Sequence, residues 1–187
     1  MPQRNFPLLL TERLRLREPM PADCNAVHAI FSFPEVTRFG NFPDAPKKAR
    51  SEKITRWMCG AFAKGKGCAW IIQDRRSDVA LGAILFNNFD KASKCAEIGY
   101  ELHPSHWGKG LMSEAVGAVA RCGFDTFFLN RIEAWTLPGN GASDRVLEKA
   151  GFRYEGTLRQ KARFKNAFQD LRMFSRLVGD SADEAEK

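Results

Sequence analysis

Apolar and polar positions follow two different periods in the first third of the chain. Leu14 and Leu16 alternate with arginines, and this period of two is typical of a half-exposed strand, which Pro19 then ends. In residues 22–31 and 44–62 the apolar side chains instead recur at helical spacing. The pattern therefore predicts one strand followed by two helices.

The rest of the chain shows strand patterns on both sides of a long helical stretch. Two apolar segments flank a polar loop at 74–78, which predicts a hairpin, and a long apolar stripe later predicts a helix. A shorter helix is expected to start at Asn140 and Ser143, with Gly151 as its left-handed cap. The predicted strands are 69–73, 79–86, 95–102, 131–136, 152–158 and 169–177, and the predicted helices are 111–128 and 140–150.

This order of elements defines the fold class. One strand, two helices, three strands, a helix, a strand, a helix and two strands predict an α+β arrangement around one mixed sheet. The chain of 187 residues suits a single domain, which we place at residues 1–178. Residues 179–187 hold four acidic residues and one lysine, so we expect a solvated, mobile tail there.

Composition excludes several classes of protein. The hydrophobic fraction of 44% and the charged fraction of 27% lie near the averages for soluble domains. No apolar run approaches the roughly 20 residues that cross a bilayer, and the N-terminus lacks a secretory pattern, so we expect the cytoplasm. The five cysteines show neither C-x-x-C spacing nor a histidine at ligand spacing, which predicts reduced, mostly buried thiols and no metal site.

The positive net charge limits the classes of binding partner but does not identify one. The net charge is +7, and because the C-terminal residues are acidic, the body of the chain is more positive still. A field of this sign attracts nucleic acid, an acidic protein or a polyanionic cofactor. Basic residues cluster in the second predicted helix and near residues 159–165, but exposed aromatic residues do not interleave with them as in nucleic-acid binders.

The most informative stretch is residues 96–118, where a strand leads through Gly108 and Gly110 into a helix. The first turns of a helix leave backbone N–H groups without partners, and glycines allow the backbone to approach an anion closely. The stretch matches neither a Walker A loop nor G-x-G-x-x-G. It therefore predicts an anion site, such as one for a pyrophosphate, or else an ordinary tight turn.

Six segments of the sequence occur in the order and spacing of a known family. They are TERLRLR (11–17), EIGYEL (97–102), HWGKGLMSEA (106–115), NRIEAW (130–135), NGASDRVLEKAGF (140–152) and YEGTLR (154–159). On these segments the chain resembles the GNAT acetyltransferase superfamily, in particular its branch of ribosomal-protein N-terminal acetyltransferases. The resemblance extends from residue 11 to about residue 177.

The resemblance implies a GNAT-like single domain whose mostly antiparallel sheet is splayed at the acyl-CoA site and flanked by about four helices. It implies acetyl-CoA as co-substrate and no metal. The end of the strand at Leu102 would pair with the pantetheine arm, and Asn140 would contact the cofactor from the other side. Ser105 stands where the superfamily often has Gln or Arg. The backbone amides implied to hold the pyrophosphate belong to Trp107, Gly108, Lys109, Gly110, Leu111 and Met112.

Acetyl transfer to an amine needs a base for the amine, a stabilised oxyanion and a proton for the departing thiolate. Glu97 and Glu101 lie four apart on one strand, hence on one face, and either is a candidate base or a solvated acid. By the resemblance, the Ser143 hydroxyl would return a proton to the sulfur, although a serine there also suits helix capping. Tyr100 is a second candidate acid, on the opposite face with the core. His103 is interpreted as a loop residue near the substrate.

Three functions remain open at this level. The first is an N-acetyltransferase whose acceptor is a protein N-terminus, as in the ribosomal branch, or a small-molecule amine. The second is a non-catalytic acyl-CoA-binding module, and the third is a nucleic-acid binder suggested by charge alone. Basic residues where the branch can carry acids would favour an acidic acceptor. The oligomeric state, monomer or homodimer, leaves no mark on the sequence.

Overall fold

A computed structural model describes residues 5–40 and 47–180. One eight-stranded sheet runs through the molecule in the order β1-β2-β3-β4-β5-β6-β8-β7. The strands are β1 (Leu9–Leu10), β2 (Leu14–Arg17), β3 (Cys68–Asp74), β4 (Ala80–Asp90), β5 (Cys95–Leu102), β6 (Arg131–Thr136), β7 (Arg153–Phe164) and β8 (Ala167–Leu177). The helices are α1 (Cys24–Phe31), α2 (Pro34–Thr37), α3 (Lys48–Ala61), α4 (Leu111–Asp125) and α5 (Gly141–Lys149).

The α+β class with a mixed, mostly antiparallel sheet is confirmed, and the differences from the sequence pattern are local. The two-residue β1 and the one-turn α2 are too short to leave a period in the sequence. Helix α4 ends at Asp125, before the predicted residue 128, and Phe128 itself adopts a non-helical, positive φ of 54°. Gly151, with φ of 79°, does follow α5 in the left-handed conformation.

Helices cover both faces of the sheet. On one face α1 and α3 bury Val27, Phe31 and Met58 against β3 and β4. On the other face α4 and α5 cover the larger core, whose apolar residues include Trp70, Phe86 and Ile98. Because side chains alternate along β5, Ile98, Tyr100 and Leu102 face the α4 side. Glu97 and Glu101 face the α1 and α3 side.

The sheet opens between β5 and β6. These strands pair in parallel at Cys95, Ala96 and Glu97 only, whereas β4 pairs with β5 as far as Leu102. Beyond Glu97, β6 continues to Thr136 with β8 as its ladder partner. The C-terminal half of β5 therefore lines a gap, as expected for a splayed sheet.

The last hairpin is longer than the sequence pattern predicted. β7 continues to Phe164, and the strands are joined by Lys165 and Asn166, whose φ values of 51° and 59° suit a two-residue hairpin turn. The register shifts between Leu158 and Ala162, which marks a bulge. The basic residues from Arg159 to Arg163 thus lie on an edge strand, and Lys165 lies in the turn that follows it.

Two further expectations from the sequence are corrected or left untested. The cysteines are all unpaired thiols, but only Cys68 and Cys122 are buried, so the expectation of mostly buried thiols was wrong. Nearly all of the predicted acidic tail, and the first residues of the predicted helix at 44–62, lie outside the described residues. Among residues 5–40 and 47–180, none of the helices combines the length and the hydropathy of a membrane span.

Candidate active site

The turn before α4 has the backbone conformation that an anion loop needs. After β5, a short 3₁₀ turn at Pro104–His106 leads into Gly108 and Gly110, which share a φ of 73°. L-amino acids with side chains are strained in this left-handed region, so glycine suits both positions. Gly110 precedes the first residue of α4 and aims the start of that helix at the end of β5.

Within the described residues, six consecutive backbone N–H groups of this turn have no acceptor. The amides of residues 108–113 donate no hydrogen bond to any described part of the chain, and the first backbone bond of the helix is from Glu114 to the Gly110 carbonyl. Unpartnered amides at a helix N-terminus bind anions well, because the helix dipole adds positive potential there. This cradle fits a pyrophosphate.

Neighbouring side chains hold the cradle in place. Arg13 donates to the Lys109 carbonyl over 2.8 Å and to the Glu114 carboxylate over 2.6 Å, which ties the residue before β2 to the turn. Lys109 turns back and donates to the Ser105 carbonyl over 2.8 Å. The Lys109 ammonium is therefore engaged within the loop.

Trp107 departs from the role that the family resemblance implied. Its backbone amide donates to the Pro104 carbonyl over 3.0 Å, so it is not among the free amides. Its indole N–H donates to the Leu102 carbonyl over 2.8 Å. Trp107 thus fixes the end of β5 against the cradle, while the free amides begin one residue later and include Ser113.

The opened edge of β5 offers backbone groups to the gap. The His103 amide donates to Leu81 on the β4 side. Backbone groups of successive residues in a strand point to opposite edges, so those of Tyr100 and Leu102 face the gap. The Leu102 carbonyl is used by Trp107, which leaves N–H groups for a partner lying in the gap.

Ser143 and Tyr100 meet on the α4 and α5 side of the gap. The two hydroxyl oxygens are 2.7 Å apart, and the Tyr100 hydroxyl also lies 3.3 Å from the Ser143 carbonyl. Burial raises the pKa of Tyr100 above its ordinary value, so the phenol stays protonated at neutral pH. The sequence placed Tyr100 on this face but gave no sign of its contact with Ser143, because the two residues are 43 positions apart.

Asn140, not Ser143, caps α5. The Asn140 side-chain oxygen accepts the Ser143 amide over 3.3 Å, which leaves the Ser143 hydroxyl for Tyr100. Asp144 then fastens the helix to the second half of the sheet, accepting from Thr136 over 2.6 Å and from Arg172 over 3.1 Å. The predicted cofactor contact of Asn140 stays a prediction, with its side-chain oxygen already engaged.

Glu101 is a half-buried residue whose carboxyl group lies on the opposite face of the sheet. Among the described residues it has no hydrogen bond or ion pair, and burial raises its pKa to about 7. Glu97 differs, because Trp135 and Asn88 donate to its two carboxylate oxygens over 3.1 and 3.3 Å. Of the two candidate bases, Glu101 has the free oxygens and the pKa suited to accepting a proton near neutral pH.

A cavity of about 480 Å³ and another of about 360 Å³ open on the Glu97 and Glu101 face. The smaller one has Glu101 in its wall, with apolar residues of α1, α3 and β4 around it, including Phe31, Ile54 and Ala83. The larger one lies beyond Trp135, among Phe39, Leu137, Phe164 and other residues of the last hairpin. The smaller cavity gives an amine a route to the Glu101 carboxyl group.

The histidines take no part in a metal site in the described ranges, where no cluster of His, Cys, Asp or Glu suits a metal ion. His103 accepts from the Ser105 amide, and its ring packs edge-on against Phe33 with centroids 4.7 Å apart. His103 thus joins the end of β5 to the α1–α2 connection. Its predicted proximity to substrate stays a prediction.

Comparison with known proteins agrees with this geometry. Residues 13–153 match the model of the acetyltransferase (GNAT) domain family. An uncharacterized N-acetyltransferase of Bacillus subtilis, YoaA, is 36% identical over 83% of this chain and 88% of its own. The ribosomal-protein-serine acetyltransferase of Escherichia coli is 30% identical over 71% of this chain and 75% of its own.

Two solved structures share the fold. The GNAT-family acetyltransferase from Bacillus anthracis has a TM-score of 0.81 at 27% identity, covering 91% of this chain and 98% of its own. RimL, a ribosomal L7/L12 α-N-protein acetyltransferase in complex with coenzyme A, has a TM-score of 0.83 at 20% identity, covering 93% and 99%.

This chain belongs to the GNAT acetyltransferases, and its relatives agree with the RimJ/RimL-like branch. It is an acetyl-CoA-dependent N-acetyltransferase.

The cradle yields a first prediction. Gly110→Ala strains the left-handed backbone at φ 73° and is expected to raise the KM for acetyl-CoA about tenfold, with a smaller change in kcat. Gly117→Ala, within α4 and with only an ordinary contact to Arg121, is the matched control. Steady-state kinetics with varied acetyl-CoA measure both variants. An unchanged KM in Gly110→Ala would place the pyrophosphate elsewhere.

Proposed function

We propose that the enzyme acetylates the N-terminal amine of a protein. The observation that carries the proposal is the position of Glu101, a half-buried carboxyl group with no partner among the described residues, at a cavity beside the opened sheet. The names of its relatives support the proposal, since the Escherichia coli relative acts on a ribosomal protein. Because ribosomal proteins are cytoplasmic substrates, the proposal also keeps the expected cytoplasmic location.

The chemistry divides between the two faces of the sheet. Acetyl-CoA supplies the thioester whose acyl group is transferred. Glu101 accepts a proton from the attacking amine on the α1 and α3 face, directly or through water. Backbone N–H groups at the open edge of β5 stabilise negative charge on the thioester oxygen. Ser143, supported by the Tyr100 hydroxyl, gives a proton to the sulfur as the carbon–sulfur bond breaks and the carbon–nitrogen bond forms.

A small-molecule amine is the competing acceptor, because the cavity at Glu101, of about 360 Å³, also has room for one. Incubating the protein with acetyl-CoA and either peptides or small amines separates the two acceptors. Mass spectrometry then locates the acetyl group, and thiol release gives the rate. We expect acetylation at peptide N-termini and none on the same peptides blocked at that amine.

Two outcomes of this assay would contradict the proposal. Acetylation of small amines without peptides would identify a small-molecule acetyltransferase. Binding of acetyl-CoA with no product from any amine would leave an acyl-CoA-binding module.

A further inference from the structure

Two cations line the cavity that reaches Glu101. Arg50 and Lys53 lie on α3 one turn apart, and both side chains are exposed where the cavity meets solvent. Trp57, which is 39% exposed, continues the same helix face. The cavity therefore has a carboxyl group in its wall and positive charge at its mouth.

The cations do not neutralise that carboxyl group. Neither Arg50 nor Lys53 forms an ion pair with Glu101, and burial is the sole cause of the raised pKa of Glu101. Lys53 forms no ion pair with any carboxylate of the described ranges. The positive charge at the cavity mouth is therefore separate from the Glu101 carboxyl group, which receives the amine.

The fold gains little from positive charge at this place. The first turn of α3 holds basic residues and no acidic one, although the helix dipole favours acids at a helix N-terminus. Lys48 points away from the cavity, whereas Arg50, Lys53 and Trp57 follow the spacing of one helix face. An anion arriving at the cavity mouth would find a complementary field there.

We propose that the acceptor is an anionic amine, a peptide with an acidic side chain in its first three residues, whose carboxylate binds at Lys53 while its amine reaches Glu101. This inference rests on the proposed function and names the substrate class of the same site. Discrimination arises from attraction of an acidic residue and repulsion of a basic one.

The test compares peptides that differ only in the second residue, as Asp, Asn or Lys. Acetylation is followed by mass spectrometry in the wild type and in Lys53→Met, Lys53→Glu and Lys48→Met. We expect kcat/KM for the Asp peptide to exceed that for the Asn peptide by about fivefold, as for one partly exposed charge pair. The preference should weaken at high salt, vanish in Lys53→Met and reverse toward the Lys peptide in Lys53→Glu.

Lys48→Met is the matched control, since it removes one lysine from the same helix but from the opposite face, and it should keep the preference. Equal rates for all three peptides in the wild type, or a preference that survives in Lys53→Met, would overturn the inference.

A different result, acetylation of small amines only, would contradict the proposed function. In that case amines bearing a carboxylate are compared with their amides in the same variants. A fivefold preference that depends on Lys53 would support an anionic acceptor, and no preference would overturn it.

Discussion

Glu101→Gln is expected to lower kcat/KM by about a hundredfold to a thousandfold, the usual contribution of a general base. The amide keeps the shape of the side chain but accepts no proton from the amine. Glu97→Gln is the comparison, and we expect it to lose less than about tenfold, because Trp135 and Asn88 already occupy the Glu97 oxygens. Equal losses in the two variants would remove the distinction between the carboxylates.

The pH dependence of the rate follows from the ionisation of Glu101. Because burial raises the pKa of Glu101 to about 7, the wild-type rate should fall as the pH drops below about 7 and the carboxyl group becomes protonated. The amine of the acceptor titrates as well and also shapes the pH–rate profile. The part of the profile that is due to Glu101 is the part that disappears in Glu101→Gln. A wild-type profile that matches the variant profile in shape would contradict the assignment.

The stability of the folded protein should change with pH in the direction opposite to the rate. The folded pKa of Glu101 lies above the ordinary value of 4.5, so the unfolded chain ionises first and wild-type stability is lost as the pH rises through about 7. Glu101→Gln has no such loss. Its free energy of unfolding should therefore improve relative to the wild type between pH 5 and pH 8, as measured by denaturant titration at the two pH values.

Removing the hydroxyl groups opposite Glu101 is expected to give the second largest effect. Ser143→Ala should lower kcat by about tenfold to a hundredfold, because the thiolate then leaves without a direct proton donor. Tyr100→Phe should lose less, since Ser143 stays in place without the phenol that polarises it. The double variant should resemble Ser143→Ala, because residues that act as a unit are not additive.

A double-mutant cycle on kcat, with acetyl-CoA and peptide both saturating, measures this coupling. Independent losses that multiply in the double variant would show that Ser143 and Tyr100 act separately. A larger loss in Tyr100→Phe than in Ser143→Ala would make the phenol the direct donor.

Most of the fold could be predicted from the sequence, because long amphipathic elements carry their own period. The strand at Arg131–Thr136 and the cap at Gly151 are local signals, and the structure has both. β1 and α2 are too short to leave a period in the sequence, so no local pattern predicts them. The extension of β7 through its bulge depends on pairing with β8.

The individual residues of the site could be predicted from the sequence, but the contacts between them could not. Strand alternation was enough to place Glu97 and Glu101 on one face and Tyr100 on the other. Neither the contact between Tyr100 and Ser143 nor the hydrogen bonds that occupy Glu97 could be inferred, because each joins residues distant in sequence. The hydrogen bond of the Trp107 amide within the 3₁₀ turn could also not be predicted, because it depends on the path of the backbone.

The most direct test of the account is a crystal structure with a bisubstrate analogue, a peptide whose N-terminal nitrogen is joined through an acetyl bridge to the sulfur of CoA. The account predicts the pyrophosphate on the amides of residues 108–113, the sulfur beside the Ser143 hydroxyl, and the peptide nitrogen facing Glu101. A peptide nitrogen on the Ser143 face of the sheet, or a pyrophosphate away from these amides, would contradict it.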